Sequence, residues 1–158
     1  MQHPMESAHV YLLATLAVAL VAGAFDWKTG RVPNLLTLSG IVLAFPLHAY
    51  VSGSRGVLEA LQWPLLGAVG CGLPSALVWR LGWLGGGDVK LIAMMGAMAG
   101  LSLGVECVFL ALLSASAFAL LRLAWSVAPR AELRSALRFG PFAFVGTALA
   151  AAIHGGFG

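Results

Sequence analysis

Charge is the scarcest commodity in this chain. Only 9% of its 158 residues are Asp, Glu, Lys or Arg, against 60% hydrophobic, and the mean hydropathy is +0.93. A soluble domain of this size could not hide so much hydrocarbon from water, so a soluble globular fold is excluded. The two lysines and seven arginines are spread singly between apolar runs. They form no groove-sized basic patch, which excludes a nucleic-acid partner despite the net charge of +3. Cys71 and Cys107 stand alone, with no CxxC pair to hold a structural zinc, and read as small apolar packing residues. His3, His9, His48 and His154 have no ligand spacing. There is no HExxH, no Walker-type loop and no histidine near a recognisable serine nucleophile. Ser114 and Ser116 read as packing hydroxyls. The sequence therefore asks for no metal and no cofactor. It also lacks the marks of a cleavable signal peptide, because the first apolar run has no basic segment ahead of it and ends in Asp26 and Trp27.

What is there is a set of apolar runs. Six are long enough to cross, or nearly cross, a hydrocarbon core of about 30 Å. They fall near 9–26, 35–51, 57–82, 88–101, 104–126 and 141–157. The expected fold is all-α, a polytopic integral membrane protein of six transmembrane helices, with residues 1–158 forming one membrane-embedded domain. The third run carries Pro64 and Pro74 and is expected to kink or to be partly re-entrant. Gly67, Gly70, Gly72, Gly96 and Gly100 offer small faces for close helix approach. Orientation follows from the basic residues. Lys28, Arg31, Arg80, Lys90, Arg122, Arg130, Arg134 and Arg138 lie on one side, and only Arg55 on the other. That asymmetry puts the termini outside and the basic loops in the cytoplasm of a prokaryotic cell membrane. Within 127–140, Arg130, Arg134 and Arg138 recur every four residues, the pattern of a short interfacial helix resting on anionic lipid headgroups.

Aspartate occurs only twice, as Asp26 and Asp88, each where an apolar run meets a short polar segment on the cytoplasmic side. Carboxylates at membrane depth are expensive and default to a functional reading. Asp26 closes the first helix, where the macrodipole disfavours an acid. Its plain alternative is an ion pair with Lys28 or Arg31. Pro33 bars helix continuation and Asn34 is a good N-cap for the second span. Asp88 ends Gly85-Gly86-Gly87-Asp88 and suits the cap of the fourth helix, while the glycines leave room for a second backbone beside it. Two carboxylates held together would share one proton: one activates a water and the other polarises a scissile carbonyl.

Three segments carry a family resemblance. Asp26 with Arg31-Val32-Pro33-Asn34, then Gly85-Gly86-Gly87-Asp88-Val89-Lys90-Leu91, then Phe139-Gly140-Pro141-Phe142 resemble, in order and membrane position, the type IV prepilin peptidases. These are GxGD-type aspartic endopeptidases that remove the hydrophilic leader of prepilins and pseudopilins at the cytoplasmic membrane face. The resemblance implies that Asp26 and Asp88 are the catalytic pair, with Gly85, Gly86, Gly87 and Lys90 in the active-site loop. It also implies a prepilin substrate and a place beside pilus or secretion assembly machinery. With only eight residues ahead of the first run and no CxxC, the chain looks like the short, peptidase-only type of Flp and tight-adherence systems, with archaeal preflagellin peptidases as neighbours. N-methylation is not expected of it. Phe139-Gly140-Pro141-Phe142 is expected only to set the start of the last span. Two other readings compete. A presenilin-like intramembrane protease would place its acids deeper than Lys28, Arg31 and Lys90 allow. A non-enzymatic transporter or channel subunit would use mid-span acids in an internal repeat.

Overall fold

The computed structural model describes residues 4–52, 57–125 and 139–155. Every regular element among the described residues is a helix: α1 (Pro4–Thr29), α2 (Asn34–Ser52), α3 (Val57–Arg80), α4 (Gly86–Trp125) and α5 (Phe139–Gly155). In lipid no water can satisfy a backbone amide, so apolar runs of this length must take the one conformation that bonds all its own groups. Four of these helices are long and apolar enough to cross a membrane, and α5 is a shorter apolar helix. This differs from the expected six separate spans in two places: the fourth and fifth runs are joined in α4, and the sixth is the shorter α5. The arginine-striped segment containing Arg130, Arg134 and Arg138 falls outside the described residues.

α4 has 40 residues, about 60 Å if straight and twice the hydrocarbon thickness. It is not straight. Gly100 has φ 78° and ψ 175°, outside the helical region. Beyond it the chain doubles back: a Cβ on Gly104 would lie only 2.7 Å from Gly96 Cα. On a straight helix those residues would be about 12 Å apart. The break occurs at the position where the sequence separates runs 88–101 and 104–126. A positive φ is available to glycine without steric penalty, which is why the reversal falls on Gly100.

The two limbs of α4 have different surroundings. In the first, Leu91, Ile92, Met94, Met95, Ala97, Met98 and Ala99 are all buried. α1, α2, α3 and α5 all pack against α4, and this limb supplies most of its buried apolar side chains. The second limb exposes Phe109, Leu113, Leu120 and Leu121, as a lipid-facing helix should. Close packing is made by small residues. A Cβ on Gly67 of α3 would collide with the Gly96 carbonyl, and one on Gly146 of α5 with the backbone of Cys107 and Ala111. α3 is one continuous helix through Pro64 and Pro74, long and apolar enough to cross a membrane.

His48 of α2 attends the reversal. Its Nε2–H donates to the carbonyls of Ala97 and Met98, both at 3.2 Å, and its ring stacks on Tyr11 at 4.4 Å. Those carbonyls sit where the helix ends, so the imidazole supplies donors that the broken ladder withdraws.

On α1 the buried positions are Leu12, Thr15, Ala19, Ala22, Gly23 and Asp26, one stripe with spacings of three and four. The stripe carries Asp26 inward. At the far end of the bundle His154 Nε2 pairs with Glu106 Oε2 at 3.0 Å, and His9 Nε2 bonds the His154 carbonyl at 2.9 Å. About 25 Å of helix separates His9 from Asp26, close to a hydrocarbon thickness.

Candidate active site

Asp26 stands in the last turn of α1, not at its end: the helix continues to Thr29 and stops on Gly30, which takes φ 69° and returns its N–H to the Asp26 carbonyl at 2.8 Å. Asp26 is 5% exposed. Its Oδ2 accepts the buried backbone N–H of Gly140, at the start of α5, at 2.9 Å. A buried carboxylate bonded from 114 residues away is not the surface ion pair that Lys28 and Arg31 suggested; both of those side chains are exposed.

Asp88 is reached differently. α4 starts at Gly86, so Asp88 is its third residue and Gly85 the capping position. The Gly85 carbonyl accepts the N–H groups of Asp88 (3.1 Å) and Val89 (3.3 Å), and Asp88 Oδ2 accepts the Gly85 N–H at 3.1 Å. This is the returning half of a capping box, in which a side chain at the third helical position reaches back to the cap. Asp88 does cap the helix, but from inside its first turn. A Cβ on Gly85 would lie 2.8 Å from Asp88 Oδ2, whereas one on Gly87 would meet nothing within 4 Å. The open side of the glycine turn is therefore at Gly87, next to the half-buried acid. A Cβ on Gly86 would lie 3.5 Å from Nε1 of the Trp79 indole.

The two acids lie at one end of the bundle, near enough for the charge of Asp26 to act on Asp88. Lys90 joins the first two sequence motifs: its Nζ donates to Asn34 Oδ1 at 2.8 Å. Asn34 is thus not the N-cap of α2. The Pro33 carbonyl accepts the N–H of Leu36 and Thr37, and Asn34 is the first helical residue, its side chain turned to Lys90. Trp27, Trp79 and Trp83 are all more than half exposed around this end, as residues at a membrane–water boundary are. Three segments far apart in sequence converge here: the end of α1, the glycine turn before α4 and the start of α5.

Residues 13–121, more than half the chain, match the type IV leader peptidase family. The chain belongs to that family. No curated protein and no solved structure matches it. Membership makes this multi-pass membrane protein a prepilin peptidase, an aspartic protease, and implies prepilins as substrates. The non-enzymatic reading falls with that. The matched segment contains Asp26, Gly85, Gly86, Gly87, Asp88 and Lys90, and leaves out the turn at Gly140.

Sequence reasoning missed three polar features. His48 and Glu106 each stand inside an apolar run, and a costly polar side chain at such a place was the signal that could have found them. The third, the Gly140 amide, belongs to a motif that had been read only as a helix start.

Proposed function

We propose that Asp26 and Asp88 form a water-activating dyad that hydrolyses the leader peptide bond of a pilin-like membrane protein at the cytoplasmic face. The observation that carries this is their convergence: the only two aspartates of an apolar chain come from different helices to one end, where the charge of Asp26 reaches Asp88. In the dyad scheme the ionised carboxylate takes a proton from water as its oxygen attacks the carbonyl carbon. The neutral carboxyl gives its proton to the carbonyl oxygen. Collapse of the tetrahedral adduct breaks the C–N bond, the leaving nitrogen takes up a proton, and the dyad returns to its shared-proton state.

The space beside Gly87 suits an extended leader, whose backbone would pair along the turn while its apolar helix lies laterally against the bundle. Lys90 bonds Asn34 across the edge of this space. Each limb of α4 is assigned its own crossing, which with α1, α2, α3 and α5 makes six. The excess of basic residues then puts the acids on the cytoplasmic side. Reconstitution with a model prepilin, a hydrophilic leader ahead of an apolar helix, provides the test. Asp26→Asn and Asp88→Asn should each abolish cleavage while leaving the protein inserted and folded. Near-normal cleavage by either variant would end the assignment.

A further inference from the structure

We propose that the first turn of α5 is a working part of the site, with the Gly140 N–H as a positioning group that holds the Asp26 carboxylate in its reactive orientation. The inference rests on the dyad reading above and extends it to a segment outside residues 13–121.

Asp26 lies near the C-terminus of α1, where unpaired carbonyls repel an acid. What opposes that repulsion is the start of another helix, whose N–H groups point outward with partial positive charge. Gly140 supplies one of these at 2.9 Å, buried. The following residue is Pro141, which has no N–H to offer. The approach needs a bare backbone at both contact points. A Cβ on Gly140 would lie 2.7 Å from Asp26 Cβ, 2.9 Å from Oδ2 and 3.1 Å from Cγ. One turn earlier on α1, a Cβ on Gly23 would lie 3.1 Å from the Gly140 carbonyl oxygen and 3.5 Å from Pro141 Cα. Helix α5 is therefore seated on α1 beside the acid, and its amide fixes one carboxylate oxygen. Fixing one oxygen of a planar group sets the direction of the other. The Phe139-Gly140-Pro141-Phe142 motif thereby acquires a chemical reason for its glycine.

The test replaces the Gly140 amide by an ester, using the glycine-equivalent hydroxy acid in the full chain, so that an oxygen takes the place of the N–H and no side chain changes. Cleavage of the model prepilin is followed in liposomes. A hydrogen bond to a charged group of this kind makes kcat fall by about 10- to 100-fold with KM unchanged. Gly140→Ala, which crowds the carboxylate, should show the same split. Ala150→Gly loosens the buried face of α5 far from Asp26, and should lower the melting temperature while keeping kcat. An ester protein with wild-type kcat would overturn the proposal. So would a loss of kcat in Ala150→Gly equal to that of the ester protein at the same loss of melting temperature, because packing alone would then explain the effect. In either case, inactive Asp26→Asn and Asp88→Asn controls would leave the dyad standing. Active controls would instead remove the dyad reading on which the proposal depends.

Discussion

Asp26 and Asp88 reach the same end of the molecule by opposite means. Asp26 is carried inward on a stripe of small side chains and clasped by a distant helix, with almost no exposed surface. Asp88 is held by its own turn: both its bonding partner and the capping carbonyl belong to Gly85, three residues away. One acid is fixed by tertiary packing and the other by local chemistry. In the proposed dyad this gives one closed flank, where geometry is set, and one open flank at Gly87, assigned to the entering peptide. The comparison teaches that the two acids should fail differently when disturbed.

The largest expected effect is chemical and shared by both. Asp26→Asn and Asp88→Asn should each reduce cleavage by at least about 10³-fold, as removal of one member of a cooperating pair does. Equality of the two losses would mark a dyad, and a clear residual activity in one would break the symmetry. The next test separates the flanks. Gly85→Ala brings a methyl group to 2.8 Å from Asp88 Oδ2 and should cut kcat by about ten-fold or more. Gly87→Ala meets nothing in the free protein, so it should leave the melting temperature unchanged and raise KM if the leader lies there.

A smaller contrast concerns stability. Asp26→Ala strands a buried N–H and should cost about 1–3 kcal/mol. Asp88→Ala removes a half-buried cap and should cost about 0.5–2 kcal/mol. Chemical denaturation in detergent compares them, and a larger loss for Asp88→Ala would reverse the assignment of closed and open flanks. Smallest of all is the exposed tie between Lys90 and Asn34. A double-mutant cycle with Lys90→Met and Asn34→Ala should give a coupling energy below about 1 kcal/mol. A coupling well above that would make Lys90 a structural anchor of the open flank.

The candidate site is partly legible in the sequence. Asp26 and Asp88 could be picked out because an acid in an apolar chain must be repaid by function or by a partner. The glycine turn could be picked out because three consecutive glycines weaken a helix interior and mark where a helix begins or ends. Gly100 lay close to a boundary already drawn between two apolar runs. Asn34 falls one residue, and Asp88 three residues, inside the cap position that each is expected to fill. Cap preferences are shared among neighbouring polar residues, and only the hydrogen bonds decide which one serves.

What could not be read was which face of each helix turns inward. The helices are apolar nearly all round, so hydrophobicity carries no directional signal; in lipid, burial follows the small residues that let backbones touch. Their spacing on α1 points to Asp26 only once the neighbours are known.

The sequence by itself determined that the chain is helical and membrane-embedded, which end of the bundle is basic, and which two acids stand there. These follow from hydropathy, charge and composition, which are sums over local residues. Only the tertiary structure decided that α4 doubles back at Gly100, that His48 attends the break, and that the amide of Gly140 meets Asp26. Each depends on close approach between segments far apart in the chain, and no local preference encodes it.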